Sequence, residues 1–221
     1  RAAPRRGRGQ QASASAVKTL ALAHHLTIVQ PASLRPVAVV DALAAFKAEI
    51  IVVVAYGNIL PPAVLKLPPY GCINVHASLL PKYRGAAPVQ WALIHGETVT
   101  GYTIIQMDEH VDTGPILWSE ACPIAPEDDA LTLGARLAEA GAHGILNVLA
   151  ALERGTLTAQ PQPDTGASYA PKLTRELGRL DSSKASVEHQ DEEEPIPLSK
   201  PRIALIDRER EKLRFLVLGE V

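Results

Sequence analysis

Two short stretches concentrate the side chains that could do chemistry. The first, INVHASLLPKYRGAAP over 73–88, sets Asn74 and His76 two residues apart among apolar neighbours. The second, QMDEHVDTG over 106–114, gathers Asp108, Glu109 and Asp112 ahead of Thr113-Gly114. An asparagine amide offers two N–H donors, and an imidazole can donate, accept or carry charge. A carboxylate beside a histidine holds its tautomer and favours its cationic form. Together they suit acyl transfer: amide and imidazolium steady an oxyanion, and the carboxylate helps to move a proton. No nucleophile accompanies them. Ser78 is two residues past His76, but no GxSxG elbow surrounds it, so the attacking group is expected to come from the substrate. Each piece alone has a plainer reading. A strand-end histidine is commonly a hydrogen-bonded structural residue, a DTG loop is commonly a turn, and SLLP could end a helix.

These residues need a scaffold. The run EIIVVVAY, 49–56, is apolar at every position. That predicts a central parallel strand buried on both faces. CINVH, 72–76, is the next strand; side chains alternate along it, so Asn74 and His76 share a face at its carboxyl end. Further strands are expected at 27–30, 101–107 and 115–121. Helices are expected at 15–25, at 88–96, as a short turn near 62–66, and from Pro36 onward with Val39, Val40, Leu43 and Phe46. Residues 130–153 form a long helix with Leu131, Leu137, Ile145, Leu146 and Leu149 as its apolar positions. Strands alternating with helices imply an α/β fold with a parallel or mostly parallel sheet. In such a sheet ligands bind beyond the carboxyl ends of the strands. If 101–107 is a neighbour of 72–76, its exit loop lands beside Asn74 and His76.

The 221 residues suffice for one large domain, or one domain and an appendage, and the 47% apolar fraction suffices for a core. Aromatics are only 4%, so that core is aliphatic. A net charge of -2 excludes a uniformly basic nucleic-acid coat but allows a local basic patch. Cys72 and Cys122 have neither CxxC nor zinc spacing, which argues against a metal site or a disulfide framework and fits a reducing compartment. No apolar run reaches the roughly 20 residues of a membrane helix. Residues 1–14, RAAPRRGRGQQASA, read as a flexible basic loop, QPQPDTG at 160–166 as loop, and the acidic run VEHQDEEEP as a solvated linker. Residues 203–219 show no clear periodicity.

The stretch INVHASLLPKYRGAAPVQWAL followed by TIIQMDEHVDTGPIL resembles the core of the methionyl-tRNA formyltransferases. The likeness extends to QPASLRP and VVVAYGNILPPAVL upstream and to SYAPKLTRELGRLD downstream, so it covers roughly residues 5–181. It implies a Rossmann-like formyltransferase fold, a mostly parallel sheet flanked by helices. It also implies transfer of the formyl group of 10-formyltetrahydrofolate to methionyl-initiator tRNA, for translation initiation, without a metal. Asn74, His76 and Asp112 then match the catalytic trio. Ser78, Leu79, Leu80 and Pro81 match the segment lining the tetrahydrofolate site. Gly7-Arg8-Gly9 matches a basic loop that enters the tRNA acceptor arm, with Arg5, Arg6 and Lys18 adding charge. Lys82 and Arg84 could meet either the acceptor arm or the folate tail. A monomer in the bacterial cytoplasm is the default expectation, with an organelle as the other compartment.

The family pattern also has departures. Its first strand, first helix and second strand are absent ahead of Arg1, which should leave a gap beside the 50–55 strand. Residues 1–180 are thus expected to be an incomplete catalytic domain. Residues 181–221 are expected to be a linker and divergent tail, too short for the C-terminal β-barrel. Three other functions remain open. An amino-sugar nucleotide formyltransferase would share LLPKYRG, an inactive folate- or RNA-binding remnant would explain the missing parts, and a deformylase would use water as acceptor.

Overall fold

The computed structural model describes residues 5–6, 11–12, 15–174, 177, 201–206 and 215–220. The chain begins with β1 (Arg5–Arg6), β2 (Gln11–Ala12), α1 (Ala16–Ala23), β3 (Ile28–Val29) and α2 (Val37–Ala44). Then come β4 (Ile50–Val54), α3 (Pro62–Leu65), β5 (Cys72–His76), β6 (Arg84–Gly85) and α4 (Pro88–Ile94). It continues through β7 (Val99–Gln106), β8 (Ile116–Pro123), α5 (Ala130–Glu153), β9 (Tyr169–Ala170), β10 (Pro201–Ile206) and β11 (Phe215–Glu220). No helix among the described residues is long and apolar enough to cross a membrane.

The α/β expectation holds. Seven strands form one sheet in the order β3-β10-β11-β4-β5-β7-β8. Its centre, β11-β4-β5, is parallel, and the pairings on either side of that centre are antiparallel. Helices cover both faces, and alternation along β4 shows how. Ile51 and Val53 pack with Leu43 of α2, Val64 of α3 and Cys72. Ile50 and Val52 pack with Ile73, Tyr102, Ile104 and Val148 of α5. The unbroken apolar run at 50–53 is therefore needed, because each successive side chain enters a different core.

Two expectations fail, one in this sheet and one at the start of the chain. The gap beside β4 does not exist, because β11 lies there in parallel register from Phe215 opposite Ile50 to Gly219 opposite Val54. Leu216 and Leu218 are fully buried against the α2–α3 face. The aperiodic stretch 203–219 thus supplies most of β10 and of β11. At the other end, Arg5 pairs with Ala12 and Arg6 with Gln11, so the expected basic loop contains a short antiparallel pair.

The long helix α5 has the expected bounds, and Leu137, Ile145 and Leu149 face the core as expected, but two of the expected positions do not. Leu131 and Leu146 are 54% and 63% exposed, while Leu133, Leu137, Gly141, Gly144 and Val148 are buried. The glycines set how near α5 comes to the sheet. A methyl group added at Gly144 would stand 2.5 Å from the Tyr102 ring of β7, and one at Gly141 would stand 2.9 Å from Val75 of β5. The helix thereby braces the two strands that carry the polar cluster.

Candidate active site

Cys72, Asn74 and His76 alternate onto one face of β5, the face covered further along by α2 and α3. β7 pairs antiparallel with β5, Asn74 facing Ile105 and His76 facing Thr103. Its exit therefore lies at the start of β5 rather than its end, and the 107–115 loop must turn back to reach Asn74 and His76. It does so at Asp112. Asp112 Oδ2 is 3.5 Å from His76 Nδ1, and Oδ1 accepts from Asn74 Nδ2 at 3.5 Å. The structure therefore brings Asn74, His76 and Asp112 together. It separates Asp108, whose carboxylate accepts from the Thr113 hydroxyl and the His110 N–H. Glu109 is also apart, in an exposed ion pair with Lys66.

His76 is 5% exposed. Its Nε2 is 2.8 Å from the Tyr83 carbonyl. A carbonyl only accepts, so Nε2 carries a proton, and Nδ1 is the nitrogen that faces Asp112.

The chain bends sharply to make these contacts. Tyr83 has φ 61° and Asp112 φ 52°, both in the left-handed region. A residue other than glycine held there costs about 1–3 kcal/mol and persists only where its surroundings dictate it. Tyr83 is pinned at every polar atom. Its N–H donates to Ser168 Oγ at 2.9 Å and its carbonyl receives His76. Its hydroxyl donates to Glu97 at 2.8 Å and receives the Nδ1–H of His95 at 3.0 Å. Burial, then the hydrogen bond to Glu97, pushes the Tyr83 phenol up to about 12. The hydrogen bonds from Lys82 and Tyr83 hold Glu97 below its usual range.

Ser78, Leu79, Leu80 and Pro81 turn the chain between these parts. Ser78 is fully buried, and its hydroxyl donates to the Lys82 carbonyl at 2.6 Å. Leu80 is 7% exposed, and its N–H donates to Thr103 Oγ1, which in turn donates to the Ser78 carbonyl. Leu79 lies over Gly101, where a methyl group would stand 2.6 Å from its side chain. Of the residues expected to meet this segment's ligand, Ser78 has no side-chain surface to offer and acts as the loop's anchor.

The basic residues are placed less completely. Arg5 and Arg6 are in β1, and Arg8 lies outside the described residues. Lys18 is in the first turn of α1, which Ser15 caps, and its ammonium donates to Gln30 at 2.9 Å. Lys82 pairs with Glu97 at 3.0 Å, and Arg84 donates to Gln162.

The sequence pattern of the formyl transferase family matches residues 2–149. The chain belongs to that family. Methionyl-tRNA formyltransferase of Synechococcus sp. (strain JA-3-3Ab) is 52% identical over 176 residues, covering 79% of this chain and 55% of that protein. The chain thus spans just over half the length of that relative. Among solved structures, the formyltransferase PseJ of Anoxybacillus kamchatkensis superposes with a TM-score of 0.51 at 27% identity. The match covers 56% of this chain and 64% of PseJ, solved with UDP-4,6-dideoxy-4-formamido-L-AltNAc and tetrahydrofolate. HypX of Aquifex aeolicus, solved with tetrahydrofolic acid, shares the fold with a TM-score of 0.60 at 23% identity, over 66% of this chain and 25% of HypX.

Sequence reasoning missed several groups of this candidate site. The Tyr83 carbonyl and the Gly85 N–H, which donates to Asp112 Oδ2 at 2.8 Å, are backbone atoms with no side-chain signature. Ser168 and Gln162 were read only as motif and loop, because their partners lie far away in sequence. Gly85, with φ 113°, was the one available signal. A methyl there would meet Tyr169 at 2.7 Å and the Ala170 carbonyl at 2.8 Å, and β6 pairs with β9 at that point.

Proposed function

We propose that this chain is the catalytic part of an enzyme that moves a formyl group from 10-formyltetrahydrofolate to the amino group of methionyl-initiator tRNA. The observation that carries the chemistry is the convergence of Asn74, His76 and Asp112 on one face of β5. The acceptor follows from the 52% identity to a methionyl-tRNA formyltransferase. The methionyl nitrogen attacks the formyl carbon, and the carbonyl oxygen becomes an oxyanion. Asn74 Nδ2–H donates to it, and the positive charge of a protonated His76 beside it stabilises it. The adduct collapses by breaking the bond from the formyl carbon to the folate nitrogen. Asp112, facing His76, takes the proton that the attacking amine loses and helps return one to the leaving folate nitrogen.

In this reading Leu79, Leu80 and Pro81 line the tetrahydrofolate site, with Ser78 buried behind them. Arg5, Arg6, Arg8 and Lys18 meet the phosphates of the acceptor arm, fixing its position without reading its sequence. Residues 1–180 form the catalytic domain, joined in its sheet by β10 and β11 from 181–221. A sugar-nucleotide acceptor is the second reading, favoured by the likeness to PseJ.

The test uses the full-length protein that contains this chain, given 10-formyltetrahydrofolate and either charged initiator tRNA or an amino-sugar nucleotide. Mass spectrometry should find formylmethionine on the tRNA. Formylation of the sugar nucleotide alone, or of neither acceptor, overturns the proposal.

A further inference from the structure

QPQPDTG at 160–166 is loop by composition, yet Gln162 is bound into the polar cluster. Its Nε2 donates to the Asp112 carbonyl at 2.8 Å and to the Gly114 carbonyl at 2.8 Å. One amide thus brackets Thr113 and holds the turn that presents the Asp112 carboxylate. Gly114 has no slack of its own, because a methyl there would run into the Gln106 carbonyl. The orientation of the Gln162 amide is set from its other end. Arg84 Nε and Nη2 both donate to Gln162 Oε1, at 3.1 Å and 2.6 Å. Arginine only donates and the two carbonyls only accept, so the amide has one arrangement.

Arg84 is followed by Gly85, whose N–H donates to Asp112 Oδ2 at 2.8 Å. The bonds close a ring. Asp112 is held through its side chain by Gly85 and through its backbone by Gln162, and both holders are tied to the same dipeptide. Neighbouring contacts keep the 160–170 segment in place, with Gln160 bridged to Ile116 and the Arg84 N–H on the Ser168 carbonyl at 2.9 Å. We propose that Gln162 is a positioning residue for Asp112, held in turn by Arg84, and that this ring sets the Asp112–His76 geometry. The inference rests on the function proposed above for Asp112, but its structural part can be tested without turnover.

The test uses the full-length protein with Gln162→Glu, which keeps an acceptor for Arg84 but turns an oxygen toward the Asp112 and Gly114 carbonyls. Arg84→Ala, which leaves the Gln162 side chain intact, is the second variant. Nitrogen-15 spectra of histidine-labelled protein should show the His76 ring signals displaced in Gln162→Glu and, less strongly, in Arg84→Ala. Turnover number should fall by up to about 10²-fold, as for a misplaced catalytic group, with the pH profile altered and, in Gln162→Glu, KM for both cosubstrates nearly unchanged. Folded variants with unchanged His76 signals and an unchanged pH profile would overturn the inference. If Gln162→Glu fails to fold, the same result in Arg84→Ala alone decides against it. A wild type that transfers no formyl group would remove the proposed function while leaving the spectral result to judge the ring.

Discussion

The two sides of the sheet are built by opposite strategies. On the site side, β5, β7 and β8 come from residues 72–123, are joined in sequence order, and are braced by the glycine face of α5. On the other side, β11 reaches its place against β4 only after the whole of the rest of the described chain has been laid down. Local pairings cost little loop-closure entropy; distant ones must be bought by burial. Leu216 and Leu218 supply that burial, in the same apolar cluster as Cys72. The site side thus carries the candidate catalytic cluster, and the other side carries the stability that is hardest to foresee.

Substitutions should separate the two sides. The largest expected effect is on turnover, from Asp112→Asn in the full-length protein. It should cost about 10²–10⁴ in formyl-transfer rate with the thermal midpoint nearly unchanged, which a rate assay beside a melting curve will check. Leu218→Ala should do the reverse, losing about 2–5 kcal/mol of stability in denaturant unfolding while the folded fraction keeps its rate. Burial pushes the Cys72 thiol up to about 12, so Cys72 should resist alkylation at neutral pH in the wild type and become reactive in Leu218→Ala. Gly144→Ala crosses the comparison. It should cost about 1–3 kcal/mol and also lower the rate, because α5 would be pushed away from the strand next to β5.

The smallest effect is on pH dependence. Lys82 and Tyr83 hold Glu97 below its usual range, so its contribution to stability is present above the ordinary carboxylate range. It is lost as pH falls through the depressed value. Melting temperature against pH should decline more steeply there in the wild type than in Glu97→Gln.

The sequence revealed much of the site side and little of the other. β5 could be placed because its polar residues stand out in an apolar strand. β4 could be placed because a strand buried on both faces has no alternation to confuse it. The face of α5 was legible only in part: Leu137, Ile145 and Leu149 do face the core, but hydrophobic periodicity counts large side chains, whereas this helix approaches the sheet through Gly141 and Gly144. Asp112 could be chosen over Asp108 and Glu109 only by family likeness, since all three share one loop and its path depends on tertiary contacts. β11 was illegible because its partner β4 is distant in sequence and the 203–219 pattern is too irregular to announce a buried strand. Gln162 was illegible because a loop amide gains meaning only from the two carbonyls it meets.

The central claim is that His76, fixed at Nε2 by Tyr83 and facing Asp112 at Nδ1, stabilises the oxyanion of formyl transfer. Single-turnover formylation of methionyl-initiator tRNA by full-length wild type and His76→Ala tests it most directly. A rate lower by about 10²–10³ with tRNA binding retained in the folded variant is the predicted result. An unchanged single-turnover rate would contradict it.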